Sequence, residues 1–387
     1  MQPENNMGRF YAILTLLGMS ICLSATGIDV PDSAVAQPKR VSFAYDLDFA
    51  TSFDNREYHE PYQIPQTILD FHLAPEIGVQ VLDGAGGIHR VMAGVHYIQP
   101  LGGNWRDALF MSTAYYHFEY KGLNLQLGAV PFTHRIRRMP DWLMYDSTAC
   151  RHPNIQGALI SYEDGRGYAE IMCDWRGSQT KERREMFRLV ADGEYRYKWL
   201  TVGGIAQINH KARFAPPTPW EGVCDDIFIS PQVGFDVTGY LPVDSFAVRL
   251  GYIIGIQNDR AAGNVQMPQG FNAELMFNWW FIGIRDEFYA GDPLMPLFAK
   301  WGHELNQGDP FFQSKIYNRL EIFAYIYRSN FVNCKFSWNM HWDGISLQHQ
   351  QLLSVRFNLR EALRLDHRDK WYRMNRDGHK RYLQDYI

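Results

Sequence analysis

VSFAYDLDFATSF, residues 41–53, decides the fold. Val41, Phe43, Tyr45, Leu47, Phe49 and Phe53 fall on one side of a two-residue repeat, and Ser42, Ala44, Asp46, Asp48, Ala50 and Ser52 fall on the other. That is the period of a strand with one apolar face; a helix would scatter both sets around its circumference. The pattern continues outward from this segment. Leu69, Phe71, Leu73, Ile77, Val79 and Val81 oppose Asp70, His72, Glu76 and Gln80. Near the other end, Val332, Phe336, Trp338, Met340 and Trp342 oppose Asn333, Lys335, Ser337, Asn339 and His341.

Sixteen such segments are expected, near 41–54, 67–82, 88–99, 107–120, 123–132, 155–163, 167–176, 184–196, 199–210, 227–239, 245–257, 269–279, 281–289, 316–328, 331–343 and 345–359. The connections support the count. Those after even segments are tight, as at Lys121-Gly122, Tyr197-Lys198 and Ser329-Asn330. Several after odd segments are long, across 55–66, 133–154, 211–226 and 290–315. Outer-membrane barrels have this asymmetry, with short periplasmic turns and longer extracellular loops. The opposite face of each segment carries charge and amide, which a packed sandwich interior rejects and a wet lumen accepts. Closure also removes the unpaired edges that hydrocarbon does not tolerate. The expected fold is all-β: a transmembrane, antiparallel, up-and-down barrel of about sixteen strands.

Composition agrees. Aromatic residues make up 15 % of the 387, with 22 Tyr, 24 Phe and 11 Trp, and several stand near strand ends (Phe53, Tyr116, Phe118, Tyr120, Trp175, Trp279, Trp342), as interfacial girdles do. The mean hydropathy of −0.32 does not argue for a soluble chain, because a barrel strand is apolar only at alternate residues. A net charge of −4 excludes a strongly basic nucleic-acid binder.

The N-terminus reads as an export signal. Arg9 precedes the apolar stretch from Phe10 to Ala25, and Ala34-Val35-Ala36 supplies small residues for cleavage. The expected organisation is a signal peptide at 1–36, a barrel at 37–359, and a basic periplasmic tail at 360–387 with room for a short helix. The expected location is the outer membrane of a bacterium. Export permits disulfides, and Cys150 and Cys224 fall in loops and can pair.

The strand plan, the turn asymmetry and the run Gly128-Ala129-Val130-Pro131-Phe132 leading into a long loop resemble porins and alginate-export-type outer-membrane barrels over about residues 41–359. The resemblance is one of architecture. It implies a long loop that constricts the pore.

A sixteen-strand barrel is wide enough for an aqueous channel, so diffusion of small polar or anionic solutes, saccharides among them, is the expected function. The loop carrying Arg135, Arg137, Arg138 and Arg151 is the most basic of the large loops. Folded inward, it would face an acidic wall of Asp46, Asp48, Asp70 and Glu76; folded outward, its arginines would meet solvent or anionic headgroups. Arg249, Arg319, Glu321, Lys335 and Arg356 are further lining candidates. Expected partners are outer-membrane lipid and small solutes, with no nucleic acid; a homotrimer or a surface or periplasmic protein partner fits the same plan.

No enzyme is expected, and neither a cofactor nor a metal. No Gly-x-Ser-x-Gly or phosphate loop occurs. Ser337, Asn339 and His341 share a face, but successive members stand about 6–7 Å apart along a strand. His72 and His96 on neighbouring strands form a two-ligand metal candidate. Two other readings stand beside the channel: a non-channel barrel that anchors or serves a surface or export partner, and an outer-membrane lipid-modifying enzyme.

Overall fold

The computed structural model describes residues 40–217, 222–329 and 331–359. The expected signal peptide (1–36) and the expected tail (360–387) lie outside the described residues.

The strands are β1 (Arg40–Glu57), β2 (Gln66–Leu82), β3 (Ile88–Pro100), β4 (Leu109–Tyr120), β5 (Leu123–Pro131), β6 (Asn154–Asp164), β7 (Gly167–Gly177), β8 (Met186–Tyr197), β9 (Leu200–Lys211), β10 (Cys224–Asp236), β11 (Ser245–Asp259), β12 (Asn264–Gln266), β13 (Gln269–Trp279), β14 (Ile282–Gly291), β15 (Ile316–Arg328), β16 (Val332–Trp342) and β17 (Leu347–Asn358). Each wall strand pairs antiparallel with its neighbours in sequence, and β1 pairs with β17 from Asp48↔Asn358 to Glu57↔His349, which closes the barrel. The short β12 hangs on β11, which itself pairs with β13, so sixteen strands form the wall. The chain is a closed antiparallel barrel with short turns on one rim and long loops on the other.

Local sequence explains the tight rim. At the β4–β5 hairpin both central residues take positive φ, Lys121 at 45° and Gly122 at 86°. That twist suits a two-residue hairpin, and glycine adopts it without strain. A Cβ at Gly122 would also meet the Glu163 carbonyl oxygen at 2.2 Å.

Alternation holds on both faces. Val41, Phe43, Ile77, Val79, Val91, Ile171, Val202 and Leu353 are exposed on the outer wall, where hydrocarbon is their natural solvent. Ser52, Asp54, His72, Glu170, Asp192, Glu321 and Asn339 are buried on the inner wall. A bulge in β15 between Tyr325 and Tyr327 breaks the period. The extra residue turns Tyr327 outward, whereas Tyr325 lies 4.1 Å beneath the Arg328 guanidinium. The alternation of sequence alone would put both tyrosines inside.

The inner face is not wet throughout. Met92, Tyr115, Val130, Ile155, Leu159, Met172, Val190, Ile205, Phe228 and Ile253 point inward from the wall and join one apolar core with Met139, Trp142, Leu143, Met144, Leu294, Met295, Phe311 and Phe312. The latter eight belong to two loops, 132–153 and 292–315. The barrel is therefore lined by polar layers and, where the loops dock, by an apolar layer.

Candidate functional site

Loop 132–153 leaves β5 through a 3-10 turn, Phe132–His134, and returns through helix α1 (Asp146–Arg151). Its base is tied by the Phe132 amide donating to the Pro153 carbonyl at 2.8 Å. Loop 292–315 carries helix α2 (Phe298–Leu305) and a 3-10 turn, Pro310–Gln313, capped by Asp309 accepting from the Phe311 amide at 3.1 Å. The two loops bond to each other through their backbones. The Tyr145 amide donates to the Gln307 carbonyl and the Asp309 amide to the Asp141 carbonyl, both at 2.8 Å. They dock as one plug.

Aromatic packing seats the plug. Trp142 is 1 % exposed and meets the Phe228 ring edge-on with centroids 5.6 Å apart. Phe311 stacks on Tyr317 at 5.3 Å and meets Tyr58 edge-on at 5.5 Å, while Phe312 meets Tyr289 at 5.7 Å. Such aromatic pairs contribute roughly 0.5–1.5 kcal/mol each beyond the area they bury.

Ion pairs set its register. Arg135 donates to Glu170 on β7 at 2.7 Å and to Asp192 on β8 at 3.3 Å, and the Ile136 amide donates to the same glutamate at 2.8 Å. Arg137 reaches Glu274 on β13 at 2.7 Å and Gln232 on β10 at 3.2 Å. Asp141 accepts from Arg319 on β15 at 2.5 Å, from Arg138 at 3.2 Å and from Arg285 on β14 at 3.4 Å. Asp146 is shared by Arg138 and Arg319. Burial would raise the Asp141 carboxyl, but Arg285, Arg319 and Arg138 together hold it well below the usual carboxylate range. Asp146 is lowered in the same way, against its burial, by Arg138 and Arg319.

The other plug carboxylate behaves oppositely. Asp309 is fully buried and one of its oxygens has no hydrogen-bond partner. Burial pushes its carboxyl up to about 7, even though the Phe311 amide and Arg319 favour the charged form.

Arg135, Arg137 and Arg138 thus turn inward, as one of the two sequence readings has it, but they do not oppose the expected acidic wall. The four acids of that wall have other partners. Asp48 pairs with Arg356, with Nε at 3.0 Å; Asp46 accepts from Asn358 at 3.3 Å; Asp70 accepts from Ser52 at 3.3 Å; and Glu76 accepts from the Tyr115 hydroxyl at 2.7 Å. Barrel closure brings β17 against β1, so Arg356 neutralises Asp48 locally. The plug leans instead on carboxylates from β7, β8 and β13. Arg151 stands exposed at the end of α1 and makes no part of the plug's ion-pair network given above. Arg249 pairs with Glu194 at 2.9 Å, and Glu321 accepts from Lys335 at 3.0 Å and Ser337 at 2.7 Å. The Cys150–Cys224 disulfide does not form: both thiols are free, Cys150 on the plug helix and Cys224 buried against Leu297 and Leu305.

Sequence reasoning missed Trp142, Tyr145, Asp141, Asp146, Arg285 and Asp309. One signal was present. Met139, Trp142, Leu143 and Met144 make an apolar run inside a loop, which a loop bathed in water does not need.

Ser337, Asn339 and His341 each bond a different partner. Ser337 bonds Glu321, Asn339 accepts from Arg319 at 3.3 Å, and His341 meets Tyr317 at 2.7 Å, so the three act separately. His72 and His96 touch at 3.2 Å, but among the described residues no group of three or more His, Cys, Asp or Glu is placed to hold a metal. Ser52 and His72 share one oxygen of Asp70, at 3.3 and 3.6 Å, so the hydroxyl bonds the carboxylate rather than the imidazole.

A family model described as lipid A 3'-O-deacylase-type matches residues 36–212, a little under half of the chain. No curated protein matches. Among solved structures, the chain is similar to a triple mutant of the Rhodopseudomonas blastica porin, at 11 % identity and a TM-score of 0.48, covering 82 % of this chain and 100 % of that one. It is also similar to Pseudomonas aeruginosa OccK2 in complex with glucuronate, at 10 % identity and a TM-score of 0.49, covering 82 % and 97 %. The family match corrects one expectation. The absence of a catalytic motif had suggested that the chain is not an enzyme, and the matched family is one of enzymes.

Proposed function

We propose that this barrel is a channel of a bacterial outer membrane, closed at rest by its docked loops and passing small polar or anionic solutes when they undock. The observation that carries the reading is the path of Arg135, Arg137 and Arg319: charged side chains of loop and wall meet across the lumen and are held there by ion pairs. A permanent plug needs no charge, since apolar packing of similar volume is often as stable as a buried ion pair or more so. A plug that must leave gains from groups that water can solvate once they part. In planar bilayers the intact protein should be almost silent with brief openings. A variant with residues 134–152 replaced by a short Gly-Ser linker should conduct steadily. Silence of the shortened barrel, once it is shown to be inserted, would remove the channel reading.

A second reading has its own support: cleavage of an acyl ester on a lipid A-type glycolipid, which the family match over residues 36–212 favours. Cells expressing the protein should then yield lipid A lighter by one acyl chain in mass spectra. Unaltered lipid A at full expression in the membrane would count against it.

A further inference from the structure

Outward-facing positions should be apolar over the membrane belt, and a strip across β16, β17, β1 and β2 is not. On β1, Asp54 and Arg56 are buried inward, so Asn55 and Glu57 face out; on β17, Gln348 and Gln350 are buried inward, so His349 and Gln351 face out. The pairing registers align these residues in two rows. Trp338, Gln351, Asn55 and Thr67 run across β16, β17, β1 and β2, and Met340, His349 and Glu57 run beside them. The polar groups are already joined. Asn55 donates to Gln351 at 2.6 Å and to Glu57 at 3.2 Å, and Thr67 donates to Asn55 at 2.9 Å. His349 packs 5.7 Å from the Trp338 ring, with its Nδ1 buried and without a partner.

Apolar residues border this strip on both sides. Towards the membrane centre come Phe336, Leu353, Phe53 and Leu69; towards the long-loop rim come Trp342 and Leu347, with Ile345 and Ile64 exposed in the adjoining loops. A carboxylate, two amides, a hydroxyl and an imidazole are thus set into an apolar outer surface. Polar groups facing lipid are costly to keep and mark functional positions by default.

We propose that this strip is a lipid-recognition site, which takes the polar–apolar boundary of a membrane lipid bearing hydroxyl and amide groups there. The chemistry selects against phosphate. Glu57 contributes a negative charge, and neither the two rows, their apolar borders, nor the connecting segments 58–65 and 343–346 contain a lysine or arginine. A phosphate would face a carboxylate with no cation between them, whereas hydroxyl and amide protons find acceptors at Glu57 and Gln351. Acyl chains then lie along the Phe53–Leu353–Leu69 border, and the Trp338 face offers a flat apolar contact. The proposal rests on the reading that the wall stands in lipid, and it holds whichever of the two functional readings is right.

The test uses the full-length barrel in detergent, titrated with fully dephosphorylated lipid A, which carries hydroxyacyl amides and no phosphate, or with dioleoyl phosphatidic acid, which carries phosphate but no amide. Native mass spectrometry should show lipid A retained at least ten-fold better. The double variant N55L/Q351L should lose that preference by about ten-fold while unfolding no more readily, because it only makes a lipid-facing surface more apolar. E57Q should admit phosphatidic acid better than wild type does. Equal retention of the two lipids by wild type, or undiminished lipid A binding by N55L/Q351L, would overturn the proposal. Insertion into dioleoyl phosphatidylcholine vesicles separates the two claims: a barrel that does not insert sinks the membrane reading, while one that inserts with unchanged lipid preference sinks the site alone.

Discussion

Asp141→Ala should turn a nearly silent barrel into a steadily conducting one. Asp141 receives Arg138, Arg285 and Arg319 together, and its side chain is 1 % exposed. Removing it leaves these guanidinium groups in the lumen short of a counter-charge. Arg319 keeps Asp146 at 3.2 Å, and Arg285 keeps Glu287 at 3.6 Å, so the site is weakened rather than emptied. Breaking a buried pair by deleting one partner costs about 3–5 kcal/mol. At about 1.4 kcal/mol per decade, that shifts docking by roughly two to three and a half orders of magnitude. The wall should not notice, because its ladder bonds do not pass through Asp141. Single-channel records would show the gain in open time, and unchanged heat-modifiable mobility on gels would show the intact barrel. Asp141→Asn, which keeps the shape and removes the charge, should open the channel nearly as far. Records from both variants as quiet as wild type would mean that apolar packing alone holds the plug.

How much of this was legible in the sequence follows from the range of the forces involved. The β1 pattern of Val41 to Phe53 is a local property, and a period of two over a dozen residues leaves little choice of structure. Strand count and turn asymmetry follow from the same local signal. The partners of the plug are a different matter. Arg135 lies 35 residues from Glu170, and Arg137 lies 137 residues from Glu274. Nothing in their spacing fixes which inward carboxylate each will meet, since that depends on where the closed wall carries each strand around the lumen. The acidic wall of β1 and β2 seemed the natural counterpart because it is dense in sequence, yet closure places Arg356 beside Asp48 and satisfies it first. The β15 bulge is invisible for a related reason. Tyr325-Ile326-Tyr327 reads as regular alternation, and only pairing against Lys335 and Cys334 reveals the extra residue.

Raising the pH from about 4 to about 7 should favour the open state, and Asp309→Asn should remove most of that dependence. The carboxyl of Asp309 interacts electrostatically with the charged Arg319, Asp141 and Asp146 and with the hydroxyls of Tyr58, Tyr145 and Tyr317. Its nearest polar contacts are the Phe311 amide at 3.1 Å and the Gln63 side-chain amide at 3.4 Å. Burial is the largest influence and lifts the docked carboxyl from its ordinary 3.8 to about 7. The raised value fixes the sign. Below about pH 4 the acid is protonated whether the plug is docked or free, and docking is at full strength. Between 4 and 7 the free loop ionises and the docked one does not, so each step of pH rewards release. Above 7 both are ionised and the loss is complete, at about 4 kcal/mol for a shift of this size. Open probability should therefore climb through that window and level off beyond it. Asparagine keeps the cap on the Phe311 amide and cannot ionise, so at pH 8 the variant's brief openings should be rarer than those of wild type. The expectation runs against the usual behaviour of a buried ion pair such as Arg319–Asp141, which weakens as acid is added. A channel that opened on acidification, with Asp309→Asn behaving like wild type, would assign control to those pairs and leave Asp309 a cap and nothing more.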